Sequence, residues 1–176
     1  PLILVDSEID EDIADTVITT DNVKLGEVEG DYMRQYATEE SQIAIIGHVE
    51  GSSTAIEREE GVRKGLGEYE DRIVDVVFCD SDYDKAYLLM LELMEKYPDI
   101  DLVAGLNEYS AVGAARAIKE KGRQDIRVVG IDSSLEEIQF LEEGIFEIIV
   151  IQNPFKMGYL GVEAAASLLN GEKVVK

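Results

Sequence analysis

What most constrains this chain is a rhythm rather than a motif. Five short apolar, β-branched runs recur: Ile43 to Val49, Ile73 to Cys79, Leu102 to Leu106, Ile126 to Ile131 and Ile148 to Ile151. Between them lie stretches whose apolar residues return at helical spacing, at about 54–67, 83–97, 109–121 and 134–143. A strand that is apolar at every position needs cover on both faces, and a helix between successive strands makes those strands parallel. The predicted fold is therefore α/β, a doubly wound parallel sheet with helices on both faces. Local signals agree with these limits. Gly122 follows Ala117 to Lys121 and Gly144 follows Leu135 to Glu143, both as helix stops, and Tyr97-Pro98 closes another helix. Asp21-Asn22 opens a further helical stretch, Val23 to Tyr36.

The two ends leave the rhythm. Leu2 to Val5 reads as a buried-type strand, but Ser7 to Thr20 is long, polar and acidic, with one short apolar piece at Thr16 to Thr19. After Asn153-Pro154 comes an amphipathic helix, Phe155 to Leu169, which stops at Asn170-Gly171.

Composition narrows the partners. The 176 residues hold 16 basic and 38 acidic side chains, a net charge of −22. A polyanion without a basic stripe repels phosphate backbones, so no direct nucleic-acid contact by this segment is expected. No apolar run approaches the roughly 20 residues that span a bilayer, so no membrane insertion is expected. Pro1 opens in an apolar strand rather than a leader, which is expected of a mature or trimmed chain. Cys79 is the only cysteine, which rules out an internal disulfide and leaves the compartment open.

In open parallel sheets ligands bind beyond the carboxyl ends of the strands. The first polar residues there are Asp80 to Asp84, Asn107, Asp132 and Gln152. Carboxylates and amides can each engage two neighbouring hydroxyls, which suits a polyhydroxylated neutral molecule. Tyr83 or Phe78 would supply a ring for its C–H face. Asp82 reads as the cap of the helix from Tyr83. Arg58, within Glu57-Arg58-Glu59-Glu60, reads on local evidence equally well as part of a solvated helix face.

Several chemistries fall away. Asp80, Asp82 and Asp84 imitate a calcium loop, but Lys85 and Leu91 occupy the glycine and glutamate positions. His48 is the only histidine and is taken as a strand-end residue, so no histidine-based metal cage or triad can form. No phosphate loop occurs; Gly65 and Gly67 read as helix breakers. No catalytic residue, metal or cofactor is expected.

The chain resembles the type I periplasmic binding proteins, above all the ribose-binding kind, and the related ligand domains of lactose-repressor-type regulators. The matching pieces are PLILVDS, TTDNVKLGEVEGDYM, GSSTAIEREEGVRKGL, DSDYDKAYLLMLELMEKYPDIDLVAGLNEYSAVGAARAIKEKG, IRVVGIDSS, IIVIQNP and KMGYLGVEAAASLLNGEKV, in the family's order. The resemblance implies two flavodoxin-like lobes that close on a sugar about a hinge. Residues 1–20 would be the last strand and hinge segment of a largely absent N-terminal lobe, 21–152 the C-terminal ligand-binding lobe, and 153–176 the hinge return and a helix of the first lobe. It also implies sugar contacts at Asp6, Arg58, Tyr83, Asn107, Asp132 and Gln152. Ser7 stands where ribose binders usually carry Arg, and Ile131 where an aromatic often precedes the Asp, so the implied ligand extends to other pentoses, hexoses and polyols. Asp6 and Asp132 could be imagined as a glycosidase pair, but two carboxylates in a sugar site bind hydroxyls as readily. The implied activity is that of a non-enzymatic receptor for a monosaccharide or similar polyol, outside the cytoplasm, delivering to an ABC transporter permease. The alternative is the effector-sensing core of a lactose-repressor-type regulator, inside the cytoplasm.

Overall fold

The computed structural model describes residues 1–9 and 11–174, so Asp10, Val175 and Lys176 of the two end segments lie outside the description. The central sheet has five parallel strands in the order β4-β3-β5-β6-β7: β3 (Gln42–Gly47), β4 (Ile73–Phe78), β5 (Ile100–Gly105), β6 (Arg127–Ile131) and β7 (Phe146–Val150). The doubly wound expectation holds. Strand limits differ from the apolar runs by one or two residues, and at the carboxyl ends of β3 and β7 Val49 and Ile151 leave the ladder and are exposed.

Alternation along β3 shows how both faces are filled. Ile43 and Ile45 point into one core with Met33, Val62 and Leu66, while Ala44 and Ile46 point into the other with Met90, Val112 and Ile118. The first core is closed by α1 (Asn22–Met33) and α2 (Ser53–Leu66). The second is closed by α3 (Tyr83–Lys96), α4 (Glu108–Lys121) and α5 (Leu135–Glu142). Because β4 lies on one side of β3 and β5 on the other, the strand order reverses between β3 and β5, and the loops after these parallel strands part into a crevice.

Glycine sets how near α1 comes to α2. A Cβ at Gly26 would stand 2.1 Å from the Arg58 carbonyl oxygen, one at Gly61 2.2 Å from that of Val23, and one at Gly65 2.3 Å from that of Glu27. Only a residue without a side chain permits this approach. Gly65 is therefore a packing residue inside α2, not a helix breaker; the helix ends at Gly67, whose φ is +57°. A 3-10 helix, Gly67–Arg72, follows and had no signature in the apolar spacing.

The ends form a layer of their own. β1 (Ile3–Val5) and β2 (Thr16–Ile18) pair in parallel as a separate two-stranded sheet, and α6 (Pro154–Leu169) packs on both. Asn153 caps α6 by accepting from the Lys156 amide at 2.9 Å, with Pro154 in the first turn. Within α6 only Gly161 is buried; Phe155 is 84% exposed and Val162 73%.

Candidate ligand-binding site

Asp6 follows β1 and Asp132 follows β6, and both have positive φ, 80° and 97°. Each still donates its backbone N–H to the neighbouring strand, Asp6 to Ile18 O at 2.9 Å and Asp132 to Val150 O at 3.0 Å. The chain thus turns sharply while anchored. Backbone strain of roughly 1–3 kcal/mol per such residue persists where surrounding structure enforces it, often at ligand sites.

Both aspartates line a hollow of ≈ 300 Å³ together with Glu108, Ser134, Gln152 and Met157. Gln152 Nε2 donates to Asp132 Oδ1 at 2.8 Å, and Gln152 Oε1 accepts from Thr20 Oγ1 at 2.8 Å. The other oxygen of Asp132 accepts from the Glu108 backbone N–H at 3.3 Å. These contacts fix the carboxylate and leave lone pairs for a further donor.

Arg58 is buried, 4% exposed, beside this hollow rather than in its wall. Its Nε donates to Asn22 Oδ1 at 2.8 Å and its Nη1 to Leu106 O at 2.7 Å. Asn22 is held in turn by donating to Thr20 O at 3.0 Å and Thr19 Oγ1 at 3.3 Å. The solvated-face alternative for Arg58 is thereby excluded. Burial lowers its proton affinity, opposed by Asp132, Glu29 and Asp6, so the guanidinium sits within electrostatic reach of both hollow-lining aspartates. Leu106, Asn107 and Glu108 connect the two sides, since Leu106 holds Arg58 and Glu108 holds Asp132.

Asn107 and Tyr83 have structural employment. Asn107 caps α4: its Oδ1 accepts from the Ser110 amide at 3.0 Å, and its Nδ2 donates to Ser81 Oγ at 3.3 Å. The Tyr83 ring packs 4.5 Å from Tyr109, with the Arg116 guanidinium 4.8 Å from its centroid, and its hydroxyl donates to Glu108. Burial, then that bond, raises the phenol's pKa, so it remains a donor. The ring is therefore occupied and not in the hollow's wall, and Phe78 lies across Gly47. Asp6, Asp132 and Gln152 share the hollow, Arg58 lies beside it, Asn107 borders it through Glu108, and Tyr83 reaches it only through Glu108. Asp82 caps α3 by accepting from the Lys85 amide at 2.8 Å, and Asp80 pairs with Lys85 Nζ at 2.5 Å.

Three buried titratable groups surround the site and escaped sequence reasoning as site members. His48 Nε2 lies 2.8 Å from Thr54 Oγ1 while Nδ1 is unpartnered; burial first, then Arg58, lower its pKa to about 4, so the ring is neutral. Glu137 accepts from the Ser134 amide through Oε2 at 2.7 Å, while Oε1 is buried without a partner; burial raises its pKa to about 7. Both oxygens of Glu29 are buried without a partner, and burial raises its pKa well above the ordinary carboxyl value. Among the described residues no group of three His, Cys, Asp or Glu side chains is arranged to hold a metal ion, and no helix is long and apolar enough to cross a membrane.

Comparison with known proteins gives this arrangement a family. The periplasmic binding protein domain model matches residues 1–173. The ribose import binding protein of Escherichia coli is 30% identical over 99% of this chain and 59% of its own length. The xylitol-binding protein of Mycolicibacterium smegmatis is 28% identical over 99% of this chain and 50% of its own. Among solved structures, a sugar transporter from Clostridium phytofermentans superposes with a TM-score of 0.91 at 46% identity, covering 99% of this chain and 63% of that one. A carbohydrate transporter solute binding protein from Agrobacterium radiobacter, in complex with D-arabinose, superposes with a TM-score of 0.91 at 28% identity, covering 99% and 62%. The chain thus spans about three fifths of the length of several of these relatives. The relatives are sugar-binding and transport proteins, which supports the transport reading over the repressor core. The chain belongs to the type I periplasmic binding protein superfamily, among relatives that are sugar receptors.

Proposed function

We propose that this chain is the greater part of a receptor for a monosaccharide or similar polyol that serves an ABC importer and catalyses no reaction on its ligand. The observation that carries this reading is the convergence of Arg58 and Asp132 on the Leu106–Glu108 turn, beside a hollow that Asp6 and Gln152 also line. Asp132 and Asp6 accept from hydroxyls, Arg58 donates to a ring or hydroxyl oxygen, Asn107 borders the ligand, and Tyr83 acts on it only through Glu108. Charge-assisted hydrogen bonds of this kind are stronger than neutral ones and orient a sugar without activating it. Residues 21–152 form one lobe, and residues 1–20 and 153–176 belong to a second, with Gln152 at the hinge. Ligand binding shifts the lobes toward a closed form that the permease recognises. The names of the relatives support a place outside the cytoplasm.

A panel of pentoses, hexoses and polyols titrated into the longer, two-lobed protein by calorimetry tests this. Saturable binding of a monosaccharide that is recovered unchanged supports it; conversion of the sugar, or no binding across the panel, overturns it.

A further inference from the structure

Glu29 is the one charged-type side chain of α1 that is wholly buried, at 0% exposure. It lies seven residues after Asn22 on the same buried face, the face that meets the Arg58 helix. The glycine contacts between α1 and α2 hold the two backbones at fixed separation, so neither Glu29 nor Arg58 can be moved by sliding the helices. Arg58 spends Nε on Asn22 and Nη1 on Leu106, and its Nη2 forms no hydrogen bond among the described residues. A buried carboxyl with two unpartnered oxygens thus lies within electrostatic reach of a buried guanidinium whose fork is only partly committed.

We propose that Glu29 is a positioning residue for the ligand site, setting whether the uncommitted edge of the Arg58 guanidinium is offered to the ligand or drawn back into the protein. This rests on the reading of Arg58 as a ligand donor. As the neutral acid, Glu29 makes no claim on Arg58, and the fork stays where Asn22 and Leu106 hold it. As the anion it has no other cation acting on it among the described residues, and a buried unpaired carboxylate is too costly to persist, so it takes the guanidinium. The groups around it set which state prevails. Arg58 from α2 favours the anion, Asp132 after β6 disfavours it, and burial disfavours it most. Asp101 of β5 and Glu147 of β7 lie toward the opposite ends of their strands, engaged with Ser41 and Arg127. On Arg58 itself Asp132, Glu29, Asp6 and Glu57 act, and the neutral His48 sits nearby. Below its raised titration range Glu29 holds its proton and the fork is available; above that range the fork is withdrawn.

The experiment needs no sugar. The Arg58 Nε–H resonance of the 176-residue chain is assigned with Arg58→Lys and followed by nitrogen-15 NMR between about pH 5 and 9. A single step with a midpoint well above the usual carboxyl range is expected, matched by the carbon-13 carboxyl shift of Glu29. Glu29→Gln and Glu29→Ala are each expected to abolish the step while the Tyr32, Tyr36 and core methyl signals keep their positions. A flat wild-type Arg58 signal, or a step that survives in either variant, overturns the proposal and leaves the sugar reading standing.

Discussion

Gln152 and Asp132 are joined across 2.8 Å, and the same amide reaches Thr20, so one side chain ties the five-stranded sheet to the segment that leaves the two-stranded one. The hollow therefore depends on a residue whose two hydrogen bonds belong to different layers.

Gln152→Ala removes both bonds, frees Asp132 Oδ1 and leaves Thr20 Oγ1 with Met157 Sδ at 3.6 Å. A half-buried bond lost to a charged group costs about 1.5–3 kcal/mol, so sugar affinity in the longer protein should fall roughly 10- to 150-fold. Gln152→Glu should be worse, since it sets a second carboxylate against Asp132. Isothermal titration checks both.

Gly61→Ala places a methyl 2.2 Å from the Val23 carbonyl oxygen, where nothing but backbone can yield. Overpacking of this kind costs about 1–3 kcal/mol, read as a lower urea midpoint with unchanged slope. Because α1 and α2 carry Asn22 and Arg58, the variant should also lose sugar affinity, whereas Gly158→Ala, which lies inside α6 and meets nothing within 4 Å, should leave affinity unchanged and hold or raise the midpoint.

Stability should respond to pH in two opposing ways. Glu137 has a folded pKa of about 7 against an ordinary 4.5, so its contribution is full below the ordinary value and is lost as pH rises through the folded one. His48 has a folded pKa of about 4 against 6.5, so its contribution is full above the ordinary value and is lost as pH falls. Each swing amounts to at most about 3 kcal/mol. Relative to wild type, Glu137→Gln should gain stability as pH rises from about 5 to 8, and His48→Gln should gain it as pH falls from about 7 to 4. Denaturant melts across that range check both signs.

The exposed face of α6, with Phe155, Tyr159, Val162 and Leu169, is large for a surface meant to meet water. The 176-residue chain alone should associate with rising concentration in light scattering, and Phe155→Ser with Val162→Ser should return it to a monomer. On the proposed two-lobed reading, which gives this chain only part of the cleft, it should also bind sugar negligibly.

The five-strand rhythm was legible because strands buried on both faces are apolar at every position, and the cap Asp82 was legible because a short polar side chain before a helix has few other uses, whereas Asn107, read as a ligand contact, proved to cap α4. Asp6 came only from the family resemblance, whereas Asp132 followed from where its strand stops. Glu29 did not: a glutamate in a helix looks solvated unless the closeness of the neighbouring helix is known. Its signal was the fourfold spacing of Gly26 with Gly30 and of Gly61 with Gly65, which marks two helices meeting backbone to backbone. The Tyr83 ring was expected to cover a sugar, but spacing along one chain says nothing of Tyr109 and Arg116 closing on it.

The most direct test is the sugar affinity of Arg58→Ala and Asp132→Ala in the two-lobed protein, measured by calorimetry beside wild type. Truncating one partner of a buried charged contact costs about 2–5 kcal/mol, so each variant should bind at least ~30-fold more weakly while remaining folded. Affinity unchanged in both would mean that the ligand is held elsewhere.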